Sequence, residues 1–279
     1  MTMMKKHTVL YSIIILLLFF CFPEVIISSS TSYYFRTLGI NDGLSQSTVN
    51  AILQDQKGFM WIGTKDGLNQ YDGQECRVFQ KENSSLGNNF ITALYEDCEG
   101  YIWVGTDAGV YIYNPVQEAF QFLDTEIASS GEKITRAVTW ITSDSQNNIW
   151  ISVDNQGLFC YNRGKKNLTK VVSCGKSGIA NVTHFWFYAG QLWIARYEDN
   201  LYVSKDNSSF NAFNDVDGED IFKGLVINSY VEGLHNCLYV GTSKGLMEIN
   251  LTSRKVRKLL DEYVRDICFR SDTDLWIGT

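Results

Sequence analysis

The sequence is short of the residues on which nucleic-acid binding and acid–base catalysis depend. Its 24 lysines and arginines are outnumbered by 31 acidic residues, for a net charge of −7, and no basic stripe runs along the chain. A nucleic-acid partner is therefore not expected. Only His184 and His235 follow the amino-terminal segment, and no serine or cysteine lies in a nucleophile motif. Acid–base or nucleophilic catalysis has correspondingly little support.

The cysteines lack the spacing of a metal site or of a disulfide framework. None of the seven forms a Cys-x-x-Cys pair, and they do not recur at a fixed period. We predict no metal, no cofactor and buried free thiols, because cysteine often packs as a small apolar residue. Beyond Cys21, the thiols concerned are Cys76, Cys98, Cys160, Cys174, Cys237 and Cys268.

A long apolar run occurs only at the amino terminus. Lys5 and Lys6 precede a predominantly apolar stretch over residues 9–22, which ends at Pro23 and is followed by serines at 28–30. Such a stretch is short for a membrane span but typical of a secretory signal. We predict a signal peptide at residues 1–30, with an uncleaved anchor as the alternative. Residues 31–279 are then expected in the periplasm.

Repetition is what the sequence has in abundance. The sequence motif from Asp55 to Tyr71 is repeated, in more or less altered form, along the chain to its last residue. Its central aromatic residue recurs at steps of 42, 47, 43, 46 and 37 residues, at Trp61, Trp103, Trp150, Trp193, Tyr239 and Trp276. This period is the size of a four-stranded propeller blade. We predict an all-β fold: an incomplete β-propeller with five blades and part of a sixth.

Each copy is expected to form four short strands, a to d. The aromatic and β-branched runs bounded by turn residues predict strands at 49–54, 59–64, 68–72 and 76–80 in the first blade. Later strands a are predicted to start at 91, 138, 181, 227 and 264. The recurring aromatic residues of strand b are expected to serve packing.

Turn residues bound strand b in each copy. Asp55, Asp97 and Asp144 are expected to accept backbone N–H groups across the a-to-b hairpin. Asn200 is expected to replace, in the fourth copy, a glycine that supplies positive φ in the b-to-c hairpin. In the other copies that glycine is Gly67, Gly109, Gly157 or Gly245.

Glycine also lies inside strand b, where it normally weakens a sheet. Gly63, Gly105 and Gly241 hold this position, and Ser152 and Ala195 keep it small in the remaining full copies. We interpret it as a point where the neighbouring blade approaches closely.

These sequence repeats resemble those of the two-component regulator propeller family. The resemblance rests on Asn41-Asp-Gly-Leu-Ser45 and on Asp-x-x-Gly-x-x-Trp-Ile-Gly-Thr-x-x-Gly-Leu-x-x-Tyr-Asp, which ends at Asp72, and it covers residues 35–279. It implies the exported sensor half of a hybrid two-component receptor. Many such receptors sense oligosaccharides and control glycan-utilisation genes. It further implies, in full-length relatives, a second propeller, a membrane helix, a kinase, a DNA-binding part and a homodimer.

The resemblance also implies how the ring of blades would close. Thr279 falls within the sixth copy of strand b, so we expect a truncated frame or the first portion of a longer protein. The leading segment, residues 33–38, is expected to be an outer strand without its partner blade. The strand at Trp276 is expected to present an open edge.

Ligands are expected at the face made by the b-to-c turns and the d-to-a connections, a common binding face of propellers. Departures from the repeat are better candidates for function than its consensus. The candidates on these segments are Lys65, Arg136, Asp154, Arg196 and Tyr197.

Strand a supplies a further departure, Trp140. The residues aligned with it are short: Ala51, Ala93, Thr183, Ser229 and Asp266. A lone indole near the axis suggests a platform for the C–H face of a sugar ring, whereas the alternative is a tryptophan that fills space between blades. His184 is a second candidate, although a lone histidine is more often a core residue.

A propeller enzyme is the alternative class. The Asp-boxes of sialidases, S-x-D-x-G-x-x-W, are similar to this repeat, but Leu53 and Tyr95 stand where the serine is required. A quinoprotein-like propeller and a stand-alone protein-interaction propeller are further alternatives. We predict no catalytic residues and a propeller that senses an oligosaccharide or another extracellular ligand.

Overall fold

The computed structural model describes residue 34 and residues 36–171, 182–207, 209–271 and 274–279. The predicted signal peptide and Cys174 lie outside these residues. The chain divides into two compact units, Met1–Thr37 and Leu38–Thr279. Residue 34 and residues 36–38 have no assigned secondary structure, so the outer strand expected over residues 33–38 without its partner blade stays a prediction.

The second unit is all-β, which confirms the predicted fold class. Its described residues form five four-stranded antiparallel sheets and one two-stranded sheet, and the one helix among them is a single 3-10 turn, Ile40–Asp42. Within the described parts of the chain, a helix with the length and apolar character needed to cross a membrane is not found.

The strands follow one another in the order a-b-c-d within each blade. Blade 1 contains β1 (Val49–Gln54), β2 (Met60–Thr64), β3 (Gly67–Tyr71) and β4 (Cys76–Phe79). Blade 2 contains β5 (Ile91–Glu96), β6 (Ile102–Thr106), β7 (Gly109–Asn114) and β8 (Ala119–Phe122). Blade 3 contains β9 (Val138–Ser143), β10 (Ile149–Val153), β11 (Gly157–Asn162) and β12 (Asn167–Lys170).

The later blades repeat the arrangement. Blade 4 contains β13 (Val182–Tyr188), β14 (Gln191–Arg196), β15 (Leu201–Ser204) and β16 (Asn211–Ala212). Blade 5 contains β17 (Ile227–Glu232), β18 (Cys237–Thr242), β19 (Gly245–Asn250) and β20 (Lys255–Leu260). The two-stranded sheet pairs β21 (Asp266–Phe269) with β22 (Leu275–Gly278). Strand a of each sheet contacts strand a of the next, so these six strands are neighbours in chain order.

Strand a carries an irregularity at the same place in all five full blades. The pairing with strand b shifts by one residue around Asn50, Thr92, Thr139, Thr183 and Asn228. This is the signature of a β-bulge, which bends the strand and turns its side chains. The bulged residue can then reach the next blade: Asn50 Nδ2 donates to Ile91 O at 2.8 Å, and Asn228 Nδ2 donates to Val264 O at 2.8 Å.

The small residue of strand b lies against strand a of the following blade. A Cβ added at Gly63 would lie 2.5 Å from Ile91 Cγ2, and one added at Gly105 would lie 2.9 Å from Val138 Cβ. Ser152 has room for its short side chain and donates from Oγ to Val182 O at 3.1 Å. The blades therefore approach one another at a position that tolerates little side-chain volume.

Gly105→Ala tests this close approach. The new methyl group would overlap the Cβ atom of Val138, which rotation of the side chain cannot move. We therefore expect the free energy of unfolding to fall by about 1–3 kcal/mol. Urea denaturation measures it. Gly164→Ala is the control, because its Cβ would meet Asn162 Oδ1 at an ordinary 3.6 Å. An equal effect of the two substitutions would contradict the proposed blade contact.

The turn aspartates hold the indoles of strand b as well as the hairpin. Asp97 Oδ1 accepts from the backbone N–H groups of Glu99 and Tyr101, and its Oδ2 accepts from Trp103 Nε1 at 2.8 Å. The same indole bond is 2.8 Å at Asp55–Trp61 and 2.9 Å at Asp144–Trp150. The backbone bonds were predicted from the sequence, and the indole bond was not.

The Asp144 bonds should make stability depend on pH. Burial by itself would raise the pKa of Asp144, but hydrogen bonds from Trp150, from the Asn148 side chain and from backbone N–H groups outweigh it and lower the pKa below 3.8. The stabilisation is therefore present above pH 3.8 and lost as the pH falls further, because the unfolded chain binds the proton first.

Urea unfolding of the wild type and of Asp144→Asn over this pH range measures the effect. We expect the stability difference between the two proteins to shrink below pH 3.8. A difference that stays constant down to acid unfolding would contradict the assignment.

Two sequence predictions need correction. Asn200 does not take the left-handed conformation; in the longer b-to-c turn of blade 4, Glu198 has φ 49°. The described cysteines are free, as predicted, but none is buried, and Cys98 and Cys268 are exposed. Cys76, Cys160 and Cys237 are partly buried, and Cys160 packs against the core beside Trp150 and Leu158.

Candidate functional site

The six strands a surround a cavity of about 820 Å³, here called the axial cavity. It is lined by residues of β1, β5, β9, β13, β17 and β21 and by Arg265, which precedes β21. Trp140 and His184, both singled out from the sequence, line it. A cavity of this volume is within the range of small-ligand sites.

Trp140 and His184 hold the same position in neighbouring blades. Trp140 pairs with Ser152 across the a and b strands, and His184 pairs with Ala195, as Ala51 pairs with Gly63. The sequence alignment, which put Thr183 at this position, was therefore wrong by one residue. The bulge makes Thr183 the extra residue of strand a, and one-residue slips of this kind exchange the two faces of a strand.

The side chains of Trp140 and His184 are in contact with each other and belong to a larger cluster of aromatic rings. The ring centroids of Trp140 and His184 are 4.7 Å apart, and Tyr230 lies 6.5 Å from Trp140 in an edge-on arrangement. Tyr230 stacks at 4.2 Å on Trp186, which is buried. Tyr230 was not among the residues predicted from the sequence, although aliphatic residues such as Ile52 and Ile141 hold the equivalent position in other blades.

Four buried polar atoms around this cavity have no hydrogen-bond partner. They are Thr92 Oγ1, Trp140 Nε1, His184 Nδ1 and Ser229 Oγ, and each belongs to a lining residue. Unpaired buried polar atoms are rare because each costs about 1–3 kcal/mol. Because four such atoms belong to residues that line one cavity, the axial cavity is the candidate ligand site.

Burial determines the protonation of His184. Desolvation lowers its pKa from 6.5 to about 4, against the opposing effect of a hydrogen bond with the Ile227 backbone. The imidazole is therefore neutral near pH 7. With one nitrogen engaged by the backbone carbonyl, Nδ1 is left as a buried acceptor without a partner.

His184 should make the protein less stable in mild acid. Its folded-state pKa is lowered, so its contribution is present above pH 6.5 and is lost as the pH falls from 6.5 through about 4. The loss is on the order of 3 kcal/mol. Unfolding free energies of the wild type and of His184→Gln, measured across this window, should converge toward acid pH. Parallel curves would show that His184 is not buried as a neutral side chain.

Few charged residues line the axial cavity. Glu232, Arg265 and Asp266 are the lining residues that carry charge. Burial raises the pKa of Glu232. The cavity has no excess of positive charge. Among the described residues, no group of three or more His, Cys, Asp or Glu side chains is placed to hold a metal ion.

The remaining candidates lie elsewhere. The b-to-c turns and d-to-a connections do form one face, since Asp154 N donates to Ala137 O at 2.8 Å and Lys65 N donates to Thr48 O at 3.3 Å. Arg196 pairs with Asp199 at 2.8 Å on that face. The structure does not bring these residues into the axial cavity, whose lining lacks all five: Lys65, Arg136, Asp154, Arg196 and Tyr197.

Comparison with known proteins agrees with this architecture. The two component regulator propeller family matches residues 43–66 and 85–108. The chain is 42% identical over 50 residues to Histidine kinase P4 of Formosa agariphila; the match covers 18% of the chain and 4% of the kinase.

Solved structures share the fold over most of the chain. One is the extracellular domain of the putative hybrid two component system BT3049 from B. thetaiotaomicron. It superposes with a TM-score of 0.72 at 27% sequence identity, and the match covers 88% of this chain and 34% of that domain. Another is the extracellular domain of BT4673 from B. thetaiotaomicron. It superposes with a TM-score of 0.59 at 18% sequence identity, and the match covers 86% of this chain and 41% of that domain.

A propeller enzyme shares the fold at lower identity. The virginiamycin B lyase of Staphylococcus aureus has a TM-score of 0.61 at 11% identity, over 82% of this chain and 77% of the lyase. That identity indicates a common fold and nothing about activity. The chain spans about a third of the BT3049 domain and a small fraction of the kinase. It is a β-propeller that carries two matches to the two component regulator propeller family, and it is similar in fold to the extracellular domain of a hybrid two-component system.

Proposed function

We propose that the chain is a periplasmic ligand-sensing region that binds an oligosaccharide in the axial cavity and has no catalytic activity of its own. The signal would pass through kinase and DNA-binding parts of a hybrid sensor to glycan-utilisation genes. A second propeller and a homodimer in the full-length receptor belong to the same proposal. The observation that carries it is the set of four unpaired buried polar atoms that belong to residues lining this cavity, Trp140 among them.

The ligand chemistry follows from what these atoms need. Trp140 Nε1–H can only donate, and the neutral His184 Nδ1 can only accept. The hydroxyls of Thr92 and Ser229 can do either. A sugar hydroxyl is both donor and acceptor, so a polyhydroxylated ligand can satisfy all four groups.

The aromatic and electrostatic properties of the cavity add to this. The faces of Trp140 and Tyr230 supply apolar area against which the C–H face of a sugar ring packs well. Because the lining charges are one cation, Arg265, and two carboxylates, Glu232 and Asp266, the cavity favours a neutral ligand over an anionic one. We therefore expect neutral oligosaccharides to bind.

Calorimetric titration of the chain with a panel of neutral oligosaccharides tests the proposal. Trp140→Ala should weaken binding by about 1–2 kcal/mol, or roughly 5- to 30-fold in Kd, because it removes the stacking surface and an N–H donor. Trp140→Phe keeps a ring and loses the donor, and should have a smaller effect. Unchanged melting temperatures would show that the variants remain folded.

Tyr197→Ala is the matched control, because Tyr197 is 54% exposed on a b-to-c turn and does not line the cavity. We expect it to leave Kd unchanged. Loss of binding in Tyr197→Ala but not in Trp140→Ala would move the site to the turn face. Absence of heat with every oligosaccharide, together with turnover of a chromogenic glycoside, would favour the enzyme alternative.

A further inference from the structure

Three outer grooves of this propeller are equivalent, and one of them differs in chemistry. Each lies between two blades and is lined by a strand-b tryptophan, its strand-c partner and the c-to-d turn of the next blade. Groove 1–2 contains Trp61 and Gln70, groove 2–3 contains Trp103 and Ile112, and groove 4–5 contains Trp193 and Val203. Their volumes are about 550, 690 and 780 Å³.

The indole N–H is satisfied in the first two grooves and not in the third. Asp55 and Asp97 line grooves 1–2 and 2–3 and accept from Trp61 and Trp103 at 2.8 Å. In blade 4, Trp193 is 2% exposed and its Nε1 has no partner. A buried donor in an otherwise regular repeat has therefore lost its carboxylate.

The loss has a local cause in the a-to-b hairpin of blade 4. In blade 1, Asp55 follows Leu53, the strand-a partner of Trp61, by two residues. In blade 4, Tyr188 follows Trp186, the partner of Trp193, by two residues and pairs directly with Gln191. The hairpin is closed by a two-residue turn, one residue shorter than in blade 1, and Tyr188 stands at the place of the aspartate.

Charge changes in the same groove. Groove 1–2 is lined by five carboxylates and two cationic side chains, and groove 2–3 by three carboxylates and two cationic side chains. Groove 4–5 is lined by one carboxylate, Asp206, and by Lys205 and Arg254. The Asp206 carboxylate already accepts from Ser209 N at 2.8 Å and from Ser209 Oγ at 2.8 Å. Groove 4–5 thus combines an unsatisfied donor with an excess of positive charge.

We propose that groove 4–5 binds a small organic carboxylate. One carboxylate oxygen accepts from Trp193 Nε1, the bond that Asp55, Asp97 and Asp144 supply within their own blades, while Lys205 and Arg254 offset the negative charge. Phe213 is buried between these groups, with its ring centroid 5.3 Å from that of Trp193 and 5.2 Å from the Arg254 guanidinium, and so holds the indole and the cation on one side of the groove. This groove shares no lining residue with the axial cavity, so the inference is independent of the proposed oligosaccharide site.

Indole N–H signals in ¹⁵N–¹H NMR spectra of the chain test this site. Acetate and glucuronate are the probes, and chloride at equal ionic strength is the control. Trp193→Phe and Trp61→Phe each delete one indole signal and so assign it. We expect the Trp193 signal to move saturably with a carboxylate and not with chloride. The Trp61 signal should stay in place, because Asp55 already occupies its N–H.

Two variants separate specific binding from general salt effects. Lys205→Gln and Arg254→Gln change side chains at the groove and are expected to weaken the carboxylate response several-fold without loss of the dispersed spectrum. A tighter response to glucuronate than to acetate would identify a sugar acid as the ligand, and an equal response a simple acid. If the Trp193 signal is unmoved by both probes, or moves equally with chloride, the proposal is wrong.

Discussion

The contact between the small residue of one strand b and strand a of the following blade is the constraint on which the rest of this propeller depends. Gly63 against Ile91, Gly105 against Val138 and Gly241 against Val264 repeat it along the chain. Because a side chain at these glycines would push the next blade outward, the contact sets how closely the strands a come together. The width of the axial cavity follows from that spacing.

The departures from this regular frame concentrate in blades 3 to 5. Where other blades place alanine or serine toward the cavity, blades 3 and 4 place Trp140 and His184, which touch each other. Blade 4 also lacks the aspartate that holds the indole in blades 1 to 3, and its two tryptophans stack 6.1 Å apart with unpaired N–H groups. A blade with unpaired buried N–H groups is less stable by itself, and a bound molecule that accepts hydrogen bonds from these groups would stabilise it.

The repeat made much of the fold predictable, and specific residues show where prediction ended. Strand a of blade 1 was predicted at its observed bounds, because alternation and turn residues are local signals. The offset of Thr183 against His184 was not predicted, since a bulge appears only in the pairing with strand b. Tyr230 was missed because its neighbours in space, Trp140 and Trp186, lie on other blades.

The amino-acid sequence by itself determined the number of blades, the strand order and the positions of the hairpins, because short-range turn chemistry and side-chain periodicity specify each of them. Only the tertiary structure decided which polar groups are left unpaired and which cavity they face. Those properties depend on the bulge-shifted register and on the side chains of the adjacent blade, about forty residues away in the chain. The same holds for the positive groove beside Trp193, whose charges come from two blades and meet only when the blades pack.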